Sequence, residues 1–265
     1  LRQFLLYTGI VVLKDVLHKR YWKHFLLLFT AIRCLVRPHS CKEWVPYCRQ
    51  LLKMFVEKYS SLYGKSEMVY NVHSIVHLPD DVQRHGPLDS FSSFPFESYL
   101  GKMKRMLRKP SQPLQQVVRR LGELQAEQRP LSGLSEWTSS YEHRDGPLPP
   151  SGGSFTQFRY IKNKIVIVGT TSSNGSLMVG DKLVCVQNIV RYSSGDIGLV
   201  FVEYENVEDF FDYPENSSFI NVYKATLGSV LKTSPLPSTV RKYACFPLNG
   251  HLVLIEINGR WDTED

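Results

Sequence analysis

Hydrophobic positions divide the chain into a helical first half and a second half rich in short strands. Up to residue 127, apolar residues recur at steps of three and four, the spacing of a helix with one buried face. This spacing predicts helices over 18–36, over 43–63, from Pro95 to the residue before Pro110, and over 114–128. Residues 1–17 are more densely apolar, which indicates a segment buried on more than one side.

After Phe155 the apolar residues come in short β-branched or aromatic runs, several of them separated by Asn, Gly, Ser or Asp. These runs predict five or six strands, among them 165–168, 182–186, 198–204, 219–223 and 252–257, with one helical turn at 208–211. Short strands in this number favour a small barrel or sandwich. Residues 129–154 are rich in Pro and Gly, which is typical of a linker. We therefore expect an α+β fold of two domains, a mainly helical domain over 1–128 and a small all-β domain over 155–262.

Charge is distributed unevenly between the two halves. Residues 1–130 contain 21 Lys and Arg against 10 Asp and Glu, a net charge of +11, whereas residues 131–265 contain 11 against 15, a net charge of −4. A basic half joined to an acidic half favours two domains with different partners.

One basic segment, residues 98–122, contains no acid. Its cations are Lys102, Lys104, Arg105, Arg108, Lys109, Arg119 and Arg120. A field of one sign suits contacts with phosphates and the release of counterions, so the segment predicts binding to the DNA backbone. The alternative is a solvated helix face that binds nothing, since no base-reading motif accompanies the cations.

Candidate metal ligands occur between residues 73 and 97. His73 and His77 have the i, i+4 spacing of zinc-binding histidines, but Ser74 stands where the zincin motif requires Glu, so histidines that hydrogen-bond near a core are the favoured interpretation. Four acids offer Mg²⁺ ligands only if the fold brings them together, and each also suits the first turn of a helix: Asp80, Asp81, Asp89 and Glu97. Spacing alone predicts no metal site.

Cysteine usage is typical of a reducing compartment. The five cysteines are widely spread, without a C-x-x-C pair, and buried structural thiols are favoured over metal ligands for Cys34, Cys41 and Cys48. The apolar runs are shorter than the roughly 20 residues of a membrane-spanning helix, and no signal-peptide pattern is present. The chain begins at Leu1 inside an apolar pattern, so we expect it to be a fragment.

Two sequences in the first half carry a resemblance to a known family: YNVHSIVHL at 70–78 and GPLDSFSSFPFE at 86–97. They resemble a block C-terminal to the main transposase domain of CACTA-type (En/Spm-like) elements, in which Pro-Phe-Glu opens a long basic helix. RQFLLYTG at 2–9 and HFLLL at 24–28 are similar to the segment upstream of that block in animal versions. FFDYP at 210–214 and VYK at 222–224 are similar to the C-terminal tails.

The resemblance implies a nuclear, DNA-acting protein of transposon origin. Transposases of this type are thought to use an RNase H-like core with three acids and Mg²⁺, and the first two acids would lie upstream of Leu1. Glu97 is then the candidate third acid. No cofactor is expected in this chain, and Mg²⁺ would bind only if a complete triad were supplied upstream.

Three hypotheses follow. The leading one is a transposase-derived fragment that binds the DNA backbone through its basic helix and has no activity by itself. The second is a protein-interaction or self-association module that acts through the β domain, with Phe210, Phe211 and Tyr213 exposed. The third is an autonomous nuclease, which needs at least two clustered carboxylates.

Overall fold

The computed structural model describes residues 2–127, 137–149, 154–163 and 166–257, and it confirms the α+β class. Helices occupy the first range, and the later ranges form one antiparallel sheet with nine described strands. No helix within these ranges has the combination of length and apolarity that a membrane crossing requires.

The helices begin and end close to the residues that the sequence predicts. His18 is the N-cap of the second helix, where its Nδ1 accepts a hydrogen bond from Arg20 N, and Gly64 follows the third helix with φ of 106°. After a π-helical turn at Phe4–Thr8, the helices are α1 Gly9–Val12, α2 Lys19–Leu35, α3 Val45–Tyr63, α4 Tyr70–Ser74, α5 Leu78–His85, α6 Leu88–Phe91, α7 Phe94–Met106 and α8 Pro113–Glu127.

The strands are more numerous than the sequence predicts. They are β1 Thr138–His143, β2 Phe155–Lys162, β3 Ile167–Gly169, β4 Ser176–Val179, β5 Lys182–Tyr192, β6 Ile197–Asp209, β7 Val222–Pro235, β8 Arg241–Leu248 and β9 His251–Glu256.

Several local predictions in the second half are wrong. The helical turn predicted at 208–211 is wrong because Glu208 and Asp209 pair with β7 at the end of β6. Phe219 lies in a 3₁₀ turn, Ser217–Ile220, and the strand begins only at Val222. Part of the range predicted as linker, Thr138–His143, forms β1 and pairs with β2. Residues 129–136 and 150–153 of that range, and residue 128 at the end of the predicted helix 114–128, lie outside the described residues.

Six strands close into a barrel. Antiparallel pairings connect β4 to β5, β5 to β6, β6 to β7, β7 to β9, β9 to β8, and β8 back to β4. Register shifts between Val186 and Asn188, and in β6 between Val202 and Tyr204 and between Glu205 and Glu208, mark bulges of the kind that bend strands around a closed sheet. β2 continues the sheet beyond β4 along one edge of β5, with β1 and β3 paired to it. Of the two architectures predicted, the pairing therefore corresponds to the barrel.

Side chains from all six barrel strands meet in one hydrophobic cluster, which is the barrel interior. Its buried members are Met178, Leu183, Tyr204, Ala225, Tyr243 and Leu254. A polar group is included in this interior, since the Tyr204 hydroxyl lies 2.8 Å from Ser176 Oγ and donates to Cys245 Sγ at 3.7 Å. Burial raises the pKa of Tyr204, so the hydroxyl stays protonated.

The helices and the outer face of the barrel share a second core. Side chains of α1, α2 and α3 pack with Phe210, Phe211, Val222, Val253 and Ile255 from the β half in a single cluster. Aromatic rings meet at this boundary, with Phe29 and Phe211 at 6.3 Å between centroids and Trp44 and Phe219 at 4.5 Å. The helical half is therefore packed directly on the barrel.

A buried arginine connects the two halves within that core. Arg33 of α2 is fully buried, and its guanidinium donates to the carbonyl oxygens of Glu256, at 2.8 Å, and Ile220, at 3.1 Å. One turn later, Arg37 donates to the carbonyl oxygen of Phe219 at 3.3 Å. Because a buried guanidinium without acceptors is very costly, these carbonyls fix where α2 sits on the barrel.

Candidate functional site

The basic segment forms a helical hairpin, which is defined as α7, the turn 107–112 and α8. α7 carries a proline in its first turn, and Ser92 Oγ accepts a hydrogen bond from Phe94 N at its start. α7 ends at Met106 and α8 begins at Pro113, so Pro110 lies in the turn between them. The hairpin packs principally on itself, and none of its described residues belongs to the core shared by the helices and the barrel.

Gln116 organises the turn of the hairpin. Its Oε1 accepts hydrogen bonds from the backbone nitrogens of Arg108, at 2.9 Å, and Lys109, at 3.2 Å. Its Nε2 donates to the carbonyl oxygens of Lys109, at 3.0 Å, and Ser111, at 2.7 Å. One side chain thus satisfies four backbone groups that a tight connection leaves without helical partners. Sequence reasoning missed this residue, because a glutamine in a helix carries no pattern that marks it.

The seven predicted DNA-binding cations fall into two groups. Five are exposed on α7 and the turn, and no ion pair to any of them occurs within the described ranges: Lys102, Lys104, Arg105, Arg108 and Lys109. The other two, Arg119 and Arg120, pair with Glu123 at 3.1 and 2.9 Å. Glu123 lies one residue beyond the acid-free segment, so α8 presents a more nearly balanced surface than α7.

Glu97 lies in the first turn of α7 and is exposed. Its Oε1 accepts a hydrogen bond from Ser93 Oγ at 3.4 Å, and its backbone nitrogen donates to Ser93 O at 3.0 Å. A carboxylate at this position favours the helix electrostatically whether or not it has any other role.

The other acids of the predicted cluster have partners of their own. Asp89 accepts from Arg2 at 2.8 Å, and Asp80 accepts from Arg49 at 2.5 Å. The hydrogen bond from Arg49 lowers the pKa of Asp80. Over the residues that the structure describes, no three His, Cys, Asp or Glu side chains are grouped as metal ligands. The four acids are therefore not gathered into one group of metal ligands among the described residues.

The prediction that His73 and His77 are structural histidines near a core is wrong. Both side chains are exposed, and their rings lie 5.9 Å apart in an edge-to-face arrangement. α4 is short and is followed by the 3₁₀ turn Ile75–His77, so the pair lies on the surface although Val72 and Ile75 pack against the core.

The three cysteines of the first half are buried thiols, as predicted. Cys34, Cys41 and Cys48 are free and buried, and Cys48 Sγ donates to Ala31 O at 3.6 Å. The neighbouring Cys34 thiol and burial both raise the pKa of Cys48. These thiols are part of the core between α2 and α3.

The exposed aromatic surface predicted for the β half is mostly absent. Phe210 and Phe211 are buried beneath the helices, where the Phe211 ring lies edge-on to Trp22 at 6.3 Å and Lys14 Nζ lies 4.1 Å from the Phe210 ring centre. Tyr213 is half-buried, with Lys23 Nζ 5.1 Å from its ring centre. The prediction failed because FFDYP has the same composition at an interface within the chain as on an open surface.

Apolar side chains are instead exposed on the hairpin. Phe96 is 72% exposed and Leu100 is 58% exposed on α7, and Leu114, Val118 and Leu124 of α8 are also exposed. Between the two helices lies a groove of about 430 Å³, lined by Leu100, Met103, Leu107 and Val117, with Lys104 and Glu97 also contributing to its wall. The hairpin thus presents an apolar groove next to unpaired positive charge.

Comparison with known proteins adds one match. Residues 142–257 match the family described as Domain of unknown function (DUF8592), which covers β2 to β9, the last two residues of β1, and less than half of the chain. No curated protein matches the chain. No solved structure matches it either.

Proposed function

We propose that this protein binds the phosphate backbone of nucleic acid, with duplex DNA as the expected partner, through the cationic side of the hairpin. The observation that carries the proposal is the set of five exposed cations on α7 and the turn that have no carboxylate partner among the described residues. Unpaired surface cations can contact the phosphates of nucleic acid and release the counterions condensed there, whereas the charge of a cation in an ion pair is already partly neutralised.

The resemblance of 70–78 and 86–97 to CACTA-type transposases supports the same partner, because in that family a Pro-Phe-Glu sequence opens a basic helix, and here it opens α7. On this proposal the protein is transposase-derived and acts in the nucleus by binding DNA rather than by cutting it. Phosphate contacts supply affinity and orientation but not sequence choice, so we expect binding with little sequence preference.

The test is fluorescence anisotropy with labelled duplex DNA across a salt series. Five phosphate contacts predict that affinity falls on the order of 500-fold between about 50 and 200 mM salt. The double variant Arg105→Glu/Arg108→Glu should bind more weakly and reduce the salt slope by about two contacts' worth.

The matched control is Lys58→Glu/Lys65→Glu, which makes the same change of charge at exposed positions outside the hairpin. If Lys58→Glu/Lys65→Glu weakens DNA binding as much as Arg105→Glu/Arg108→Glu does, the affinity depends on the net charge of the protein and not on the cations of the hairpin. Affinity that does not change with salt would contradict the proposal outright.

The alternative, a protein-interaction module acting through the β half, stays a prediction. That alternative assumed that Phe210, Phe211 and Tyr213 are exposed, but Phe210 and Phe211 are buried inside the chain and cannot contact a partner.

A further inference from the structure

We propose that the apolar groove between α7 and α8 docks an acidic amphipathic helix of a partner protein. This site uses the apolar side chains of the hairpin, whereas the DNA contacts proposed above use its cations; Lys104, which also contributes to the groove wall, is common to both.

α7 carries apolar side chains at helical spacing. Phe96, Leu100, Met103 and Leu107 follow one another at steps of four, three and four, so they form a single apolar stripe along the helix and its first following residue. In a helix that only had to be solvated, such a stripe would be unfavourable. Large exposed apolar patches rimmed by polar residues usually mark binding surfaces.

α8 buries part of its apolar surface against α7 and leaves the rest exposed. Val117 packs against the stripe and is buried, which makes the floor of the groove. Leu114 and Val118 lie one turn apart on the same side of α8 and are 70% and 60% exposed. Val117 from α8 and the stripe of α7 therefore line the groove, with Leu114 and Val118 exposed nearby on α8. An amphipathic helix docks in such a groove through apolar anchors at its own i, i+3, i+4 and i+7 positions.

Charge selects the occupant of the groove. Residues 94–127 contain seven Lys and Arg and three Asp and Glu. Lys104 and Glu97 contribute to the groove wall, and the other cations of α7 and the turn give the surroundings of the groove an excess of positive charge. A second copy of the same hairpin would bring like charges together, which disfavours self-association. A helix with leucines on one face and glutamates on the other would complement both the groove and its rim.

The experiment uses the full chain and a fluorescent peptide about five turns long, with leucines at i, i+3, i+4 and i+7 and glutamates elsewhere. A peptide of the same composition in scrambled order is the control ligand. We expect saturable binding of the amphipathic peptide and about tenfold weaker binding of the scrambled one. Leu100→Gln should weaken binding of the amphipathic peptide by about tenfold.

The matched variant is Leu148→Gln, at a leucine that is 57% exposed, against 58% for Leu100, and that lies far along the chain from the hairpin. It should leave peptide binding unchanged. Both substitutions are neutral and exposed, so helicity by circular dichroism should match that of the unmodified chain. Duplex DNA binding should also survive Leu100→Gln, and this separates failure of the groove from failure of the phosphate contacts.

Three results would overturn the proposal. Equal binding of the two peptides, or no binding of either, would show that the groove does not recognise an amphipathic helix. A dimer seen by light scattering that Leu100→Gln abolishes would assign the groove to a second copy. Loss of single-stranded oligo(dT) binding in Leu100→Gln, without loss of duplex binding, would assign the apolar stripe to unstacked bases.

Discussion

The first half of the chain contains two pairs of amphipathic helices with different fates. α2 and α3 bury their apolar faces in the core that they share with the barrel, and Arg33 anchors α2 to carbonyl groups of the β half. α7 and α8 have comparable apolar stripes but leave much of them exposed. An amphipathic pattern thus predicts a helix and which of its faces is apolar. It does not reveal whether another part of the same chain buries that face.

The largest loss of stability is expected when Arg33, which anchors α2 to the β half, is removed. Arg33→Ala leaves two buried carbonyl oxygens without their charged donor and opens a cavity, so we expect a loss of about 3–5 kcal/mol in the free energy of unfolding. Urea denaturation followed by circular dichroism measures the effect.

Arg37→Ala is the control for that variant, because it removes one longer hydrogen bond from a half-buried residue and should cost about 1 kcal/mol. If the two variants were equally stable, the buried guanidinium would not be what holds the halves together.

A second comparison uses one leucine from each pair. Leu52 of α3 is fully buried and Leu100 of α7 is 58% exposed. Leu52→Ala should cost about 2–5 kcal/mol, because it removes buried methyl groups and leaves a cavity. Leu100→Ala should change the free energy of unfolding by less than about 0.5 kcal/mol. Equal costs in urea titrations would mean that the hairpin is part of the cooperative core after all.

The smallest expected effect is local to the exposed pair. Gln116→Ala removes four hydrogen bonds to the turn of the hairpin, so the turn should open more often while the core is unaffected. Limited trypsin digestion should cut several-fold faster after Arg108. Gln115→Ala is the control at an exposed neighbour. Since Ala favours a helix more than Gln does, this variant should not be cut faster, and faster cutting in it too would show that the turn contacts of Gln116 are not what protects the site.

Much of the helical half was predictable, and the reasons are visible in single residues. His18 starts one helix and Gly64 ends another through local backbone chemistry, so the boundaries there were close to those observed. Pro110 limits α7, which ends at Met106, three residues before the predicted end. The β half was harder. β2 has Thr, Gln and Arg between its apolar residues, and β8 opens with Arg and Lys, so neither shows an uninterrupted β-branched run. Both are strands because neighbouring strands pair with them.

The candidate site divides along the same line. The seven cations and Glu97 could be read directly from the sequence, because the position of a charge along the chain needs no fold. The ion pairs of these cations could not be read in the same way, since Glu123 reaches Arg119 and Arg120 only through the geometry of α8. The role of Gln116 and the presence of the groove could not be predicted from the sequence either, because both depend on how α7, the turn and α8 pack together.

Local periodicity and charge therefore decided the class of the fold, the helices of the first half and the sign of the surface along α7, because each depends on residues within a few positions of one another. The closure of six strands into a barrel, the burial of Phe210 and Phe211, and the position of Arg33 required contacts between residues far apart in the chain. Only the assembled tertiary structure separates an apolar face that the chain covers from one that it leaves exposed, because covering depends on which surfaces meet.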